Sequence, residues 1–291
     1  MTPRGLDHIV HAVHDLPAAA DLYRRLGFTV GARNQHPWGT QNHVVQMPGF
    51  FIELLTMADP GKLGQDTISI HFGRFNQTFL QHRQGFSLLI LESRDAEKDA
   101  AEFSRNGFGL GSAARFERLG RRPDGSEVTV AFSLAFARDP RAPDCGFAVC
   151  QQHFPENFWN PAFQTHRNGV TGVAGAVLVA DNPSDHHIFL SALAGQRELQ
   201  STSSGIQLTT PRGDIQVMDR SAYRNHFGVA PPDVTEGARL AALRVTAADL
   251  AQVRQAVSDA SLQLREEHGR LIVGPEDALG ATIVFEDAPA G

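Results

Sequence analysis

Apolar and polar positions along this chain switch period repeatedly, and the order of the switches recurs. Leu6 to Val13 reads as a strand. The next stretch moves to a helical period, with Ala18, Leu22, Tyr23 and Leu26 on one face. Asp15 suits the cap of that helix, Pro17 its first turn and Gly27 its end. Phe28 to Ala32, Asn42 to Met47 and Phe50 to Leu55 then read as short strands. The result is one βαβββ unit.

The grammar returns three times. A strand at Phe86 to Leu91 leads into a helix from Asp95 to Asn106, stopped at Gly107. Strands follow at Arg115 to Leu119, Glu127 to Phe136 and Phe147 to Gln152, with a turn at Pro123-Asp124-Gly125. A third unit runs from a strand at Val173 to Val179 through a helix at Pro183 to Ala194. Its later strands fall near Leu199, at Ile206 to Thr209 and at Ile215 to Met218. The fourth has a strand at Leu240 to Val245, an amphipathic helix at Ala247 to Ala260, and strands at Leu264, Leu271 to Val273 and Ala281 to Glu286. Units so few and so unequal do not make a solenoid. They predict an α+β protein of two paired domains, 1–165 (units 5–58 and 85–155) and 166–291 (units 172–220 and 238–287). The insertion 59–84 is long enough to be a lid or an interface piece, with a helix around Phe75 to His82.

Composition narrows the function classes. The 291 residues are 42% hydrophobic and 20% charged, ordinary for a globular protein with buried cores. A net charge of -6 argues against a nucleic-acid partner. The densest basic stretch, Arg115 to Arg122, reads as a solvated edge. No run of about eighteen apolar residues suits a membrane span, and the first residues lack the apolar core of a signal peptide. Two cysteines, Cys145 and Cys150, make no disulfide framework, so a reducing cytoplasm is expected, with Cys150 a buried structural thiol. There is no Gly-rich dinucleotide or phosphate loop, so no nucleotide cofactor is expected, and no serine-hydrolase elbow or Cys-x-x-Cys.

The candidate chemistry lies in His8 and Glu53, an imidazole and a carboxylate on two strands of the first unit. Strands with one face in common can bring such a pair together, and the pair suits a divalent metal with open positions. A plain buried hydrogen-bonded pair is the competing reading. His36 and Trp38, in a turn-rich segment before a strand, are candidates to line a binding site. The doublet His186-His187 has no carboxylate at metal spacing and reads as solvated.

Leu6-Asp7-His8-Ile9-Val10, His36 to Asn42, Phe51-Ile52-Glu53-Leu54, Cys150-Gln151-Gln152, and the tail Pro155 to Pro161 with His166 to Val170 resemble the glyoxalase-like domain family. That family falls within the vicinal-oxygen-chelate superfamily. The resemblance implies a cup-shaped half-barrel sheet built by each pair of units, with helices outside and the metal and substrate on the hollow face. It implies metal ligands from the first and last strand of each unit. In unit one these are His8 and Glu53. In unit two Ser87 stands near the expected histidine and Cys150 or Gln152 near the expected glutamate, and His153 reaches the site only if a bulge re-aims it.

The implied activity is divalent-metal-assisted isomerase or lyase chemistry on a small oxygen-bearing molecule, with Glu53 and His8 catalytic and zinc, nickel, manganese or iron as the ion. Trp38, His36, Asn42, Phe51, Ser87 and Gln151 would bind substrate; His8, Glu53, Gln152 and His153 would hold metal. Two alternatives stay open: a ring-cleaving dioxygenase, and a metal-free binding or sequestering protein walled by Phe51, Trp38, Phe86 and Phe154. The third and fourth units offer no ligand side chains at Ala174 to Ala176 or Leu240 to Ala242 and read as a pairing scaffold. Surfaces left over by the pairing leave a homodimer open.

Overall fold

The structure, a computed structural model, describes residues 2–121 and 126–288. The expected turn at Pro123-Asp124-Gly125 lies outside the described residues. The first half contributes β1 (Leu6–Ala12), α1 (Leu16–Arg25), β2 (Asn34–Gln35), β3 (Thr40–Met47), β4 (Phe50–Met57) and α2 (Phe75–His82). It continues with β5 (Gly85–Glu92), α3 (Ala96–Arg105), β6 (Ala114–Arg121), β7 (Glu127–Ala137), β8 (Gly146–Gln152) and α4 (Pro155–Phe158). The second half holds β9 (Val170–Val179), α5 (His187–Ala194), β10 (Gln200–Thr202), β11 (Gly205–Thr209), β12 (Asp214–Met218) and α6 (Arg220–Phe227). After these come β13 (Arg239–Ala247), α7 (Leu250–Asp259), β14 (Arg265–Glu267), β15 (Arg270–Val273) and β16 (Thr282–Asp287).

Local signals set the first unit. The Asp15 carboxylate accepts from the Ala18 amide, Pro17 sits in the opening turn, and Gly27 leaves the helix at φ 88°. A Cβ at Gly27 would stand 2.8 Å from that of Asn168, so the glycine also admits the connecting segment. The expected strand at Phe28 to Ala32 does not form. Phe28 is drawn into the core against Tyr23 and Phe285; Asn34–Gln35 pair with β3, and the Gly31 amide makes a single bond to the Val44 carbonyl.

Each half builds one eight-stranded mixed sheet, in the orders β2-β3-β4-β1-β5-β8-β7-β6 and β10-β11-β12-β9-β13-β16-β15-β14. Within each unit the first and last strands run parallel, as β1 with β4 and β5 with β8; β1 and β5 join the units antiparallel. This is the α+β architecture of paired βαβββ units with helices packed around the sheets.

The outer faces of both sheets share one apolar core with α1, α3, α5 and α7. Phe28 stacks on Phe285 at 6.1 Å, and Phe189 packs edge-on against Phe108 and Phe147. Polar contacts also cross. Arg4 donates to the carbonyls of Ala192 and Leu193, and His186 donates through Nδ1 to Asp139 at 2.6 Å. His186 is thus buried and paired, not solvated, because its carboxylate comes from a distant loop that spacing along the chain does not reveal. His187 stays exposed.

The inner faces differ. In the first half a second apolar cluster lines an open pocket. In the second half the corresponding face is covered by α6, whose Tyr223 and Phe227 pack on Val177, Val179, Ile272 and Val284. The Tyr223 hydroxyl donates to Thr282 at 2.8 Å. Glu286 is held in ion pairs with Arg244 and Arg270. Among the described residues, no helix is long and apolar enough to cross a membrane.

Candidate active site

Residues from strands far apart in the first sheet meet at one pocket, which requires the sheet to curl. Asn42 and Val44 come from β3, Phe51 and Glu53 from β4, and His8 from β1. Phe116 and Arg118 come from β6, Phe132 and Leu134 from β7, and Cys150 from β8. Alternation explains the selection, since every second residue of a strand faces one side. The insertion closes one flank. A π-helical turn at Ser69–Arg74 places Phe72 in the wall and leads into α2, where the sequence predicts a helix. The segment after β8 closes another with Phe158. It is tied down by His166, which accepts from the Thr29 amide at 3.0 Å and donates to the Gln46 carbonyl at 2.8 Å.

A bulge prepares His8. In the pairing with β5, Leu6 faces Leu91 and His8 faces Ile90, so Asp7 is an extra residue. On a regular strand Asp7 and His8 would point to opposite faces; here the Asp7 carboxylate turns to accept from His8 Nδ1 at 2.5 Å. Its second oxygen accepts from Gln152 Nε2 at 3.0 Å. The ring lies flat on Phe51, centroids 4.2 Å apart. With Nδ1 committed, Nε2 is the nitrogen left for a ligand or proton.

Glu53 is two residues beyond Phe51, the register partner of His8. Strand spacing and rise put the His8 and Glu53 backbones about 8 Å apart, within reach of a shared ion or substrate. Glu53 is buried among aromatic rings, and its Oε1 accepts from Asn42 Nδ2 at 2.5 Å. Desolvation pushes its pKa above the usual carboxylate range, opposed by His8, the Asn42 hydrogen bond and Arg118. His36 bonds Thr40 Oγ1 through Nδ1 and brings Nε2 to 3.9 Å from Glu53. Burial, helped by the Arg118 charge, lowers the His36 pKa to about 3, so this imidazole is neutral. It stacks on Trp38 at 4.5 Å, and Trp38 meets Phe116 edge-on.

The remaining expected site residues divide by face. Gln152 points inward toward Asp7, and its Oε1 is buried without a partner. Gln151 and His153 have the opposite parity and lie on the outer side. Gln151 accepts from the Ala96 amide at the start of α3, and His153 Nε2 bonds Ser133 Oγ at 2.8 Å. No bulge re-aims His153 into the pocket. Ser87, itself an extra residue opposite β1, donates to Asn76 on α2 and does not line the pocket. Phe86 belongs to the shared core and Phe154 is partly exposed away from the wall.

Several wall residues escape the sequence reading. Phe72, Phe116, Phe132 and Phe158 are among them, and so is Arg118. Arg118 belongs to the stretch read as a solvated edge. Arg115 and Glu117 do face solvent as an ion pair, but Phe116 and Arg118 alternate inward. Cys150 also faces the pocket, where burial and the neighbouring Asp7 and Glu53 charges push its thiol pKa up. Asp7, His8 and Cys150 offer ligand atoms within 4.8 Å of one another, the one such group of three among the described residues.

A curled sheet of two βαβββ units, with a pocket on its hollow face, has the architecture of the vicinal-oxygen-chelate class. The chain belongs to the glyoxalase-like domain family, whose model matches residues 6–194. The match runs past the first sheet into β9 and α5, which supply core to the first half. No curated protein matches. Among solved structures, a hypothetical protein from Staphylococcus aureus is similar at TM-score 0.70 and 12% identity, covering 98% of this chain and 100% of that one. A triple mutant of 4-hydroxymandelate synthase from Streptomyces coelicolor is similar at TM-score 0.60 and 12% identity, covering 100% and 95%. A xylose isomerase-like TIM barrel/4-hydroxyphenylpyruvate dioxygenase fusion protein is similar at TM-score 0.53 and 12% identity; this chain is covered fully and spans 50% of that one. At such identities the likeness is one of fold.

Proposed function

We propose that the pocket of the first half is an active site that moves a proton next to the carbonyl of a small oxygen-bearing molecule, in isomerase or lyase chemistry. The observation that carries this reading is Glu53. A carboxyl group in an aromatic pocket, its pKa raised by desolvation, is suited to give and take a proton. Asn42 fixes one of its oxygens, leaving the other to reach a substrate carbon. His8, oriented by Asp7, is placed as the second proton-handling group, and the aromatic walls exclude water.

The donor set also fits a divalent ion. Asp7, His8 and Cys150, whose ligand atoms lie within 4.8 Å of one another, would hold it, with Glu53 lining the same pocket and the partnerless Gln152 oxygen beside Asp7, a mixed N, O and S set that zinc, nickel, iron or manganese accepts. When bound, such an ion supplies Lewis-acid stabilisation of developing enolate charge. Metal analysis of protein purified without chelators is expected to give near-stoichiometric divalent ion. Substrate-dependent deuterium exchange into a panel of small ketones and aldehydes tests the reaction. Ligand binding with neither metal nor exchange would move the protein to a sequestering role.

Asp7→Asn offers a sharper check. Removing the carboxylate that orients His8 is expected to lower metal affinity or exchange rate by about 10–100-fold while leaving the melting temperature close to that of the parent. Equal affinity and rate in the two proteins would reduce Asp7 to a packing role.

One observation favours a second reading. His8, His36 and Glu53 offer two imidazoles and one carboxylate to the same pocket, a set suited to ferrous iron and oxygen. Substrate-dependent oxygen consumption after iron loading would select it.

A further inference from the structure

Arg118 is the feature that the proton-transfer reading leaves unused. It projects from β6 into the inner pocket, and no hydrogen bond or ion pair engages it among the described residues. Every other buried or half-buried arginine among the described residues is engaged: Arg4 with Asp99, Arg83 and Arg239 with Asp144, Arg212 with Glu92, Arg244 with Asp214 and Glu286, and Arg270 with Glu286. A half-buried guanidinium without a partner is costly unless something anionic comes to it. Glu53 lies in the same pocket, but no ion pair or hydrogen bond joins it to Arg118.

Arg118 also lies at a junction. It lines both the inner pocket and an outer groove that shares Val44 and Phe158 with it. The two spaces differ greatly in size: about 50 Å³ is free in the inner pocket and about 690 Å³ in the groove. The smaller admits only a few atoms, since one water needs roughly 10–15 Å³ on this scale. The larger has apolar surface from Trp159, Phe163 and Leu119, and polar groups from Asn34 and Asn160. Leu119 and Phe163 are exposed there at 67% and 39%, large apolar side chains with no protein cover.

We infer that Arg118 anchors a carboxylate on the substrate, which is an extended monocarboxylate with its reacting head in the inner pocket and its tail in the groove. The inference rests on the proton-transfer reading for which end of the molecule reacts. One guanidinium matches one carboxylate in a two-point hydrogen-bonded fork. A dianionic group is disfavoured, because Asp7 and Glu53 already bring acidic groups to the inner site. Arg118 is a binding and orienting residue in this scheme, fixing how far the head advances toward Glu53.

The chain carries its own reporters. Its two tryptophans are Trp38, in the inner wall, and Trp159, in the groove. Titrating tryptophan emission with 3-phenylpropanoate and its uncharged isostere 3-phenylpropanamide isolates the carboxylate. The parent protein is expected to bind the acid about 10–100-fold more tightly than the amide. Arg118→Met is expected to erase that ratio by weakening the acid alone, and Arg118→Lys to restore part of it. Equal affinities in the parent, a preserved ratio in folded Arg118→Met, or no response to either compound overturns the inference. The parent ratio decides the matter even if a variant misfolds. The parent protein separates the two claims. Acid preference that persists in a protein catalysing no proton exchange keeps the anchor and removes the chemistry. Exchange on neutral ketones without acid preference does the reverse.

Discussion

Glu53→Gln is expected to leave a folded protein that melts at a higher temperature than the parent at neutral pH and exchanges substrate protons about 10²–10⁴-fold more slowly. Both effects have one cause. The carboxyl is buried against aromatic rings, and burial raises its pKa from an ordinary value of 4.5. The folded chain therefore keeps this proton after the unfolded chain has released it. Stability from this group is full below the ordinary glutamate range and declines as pH rises through the raised value. Glutamine keeps the shape and can still bond within the Asn42 pair, but carries no charge to desolvate. The pH-dependent decline should therefore flatten in the variant. Melting curves across a pH series and deuterium exchange by mass spectrometry read the two halves of the prediction. A variant with parental exchange would remove Glu53 from the chemistry, and one with an unaltered pH profile would contradict its buried acid.

The second large effect concerns the junction between the halves. Phe285→Ala is expected to cost about 3–5 kcal/mol and to shift unfolding of the whole chain as one transition. Phe285 is fully buried on β16, stacked on Phe28 and sealed in a core made of both sheets. Both tryptophans belong to the first half, whereas Phe285 belongs to the second. Urea unfolding followed by tryptophan emission thus tests coupling directly. A lowered midpoint in that signal means that the halves stand or fall together. An unmoved tryptophan transition beside an earlier loss of far-UV ellipticity would mean that they unfold separately.

Much of the architecture is legible in the sequence because local signals agree with one another. Asp15, Pro17 and Gly27 bracket α1, and Asp95 and Gly107 bracket α3 in the same manner. α6 carries similar brackets, Asp219 capping the Ala222 amide and Gly228 at φ 64°. Its run of Arg220, Ser221, Arg224, Asn225 and His226 disguises it, since only Ala222, Tyr223 and Phe227 face the sheet. His8, Glu53, Asn42 and Phe51 are legible as pocket residues because strand positions decide their side, and His36 and Trp38 because a turn-rich segment leads into β3. Asp7 is not, because its contact with His8 depends on a bulge that no periodicity announces. Arg118 was hidden by its charged neighbours, although Phe116 two positions earlier marks the inward face. His153 illustrates the converse, for strict alternation already sends it outward.

The helix that fills the second hollow has its own consequence. One of two similar basins is lined by His8, Glu53 and Arg118, while its twin is stoppered with Tyr223 and Phe227. Trimming those two rings would hollow out a greasy chamber on the other sheet from Glu53, so a guest molecule could be housed there apart from the first pocket.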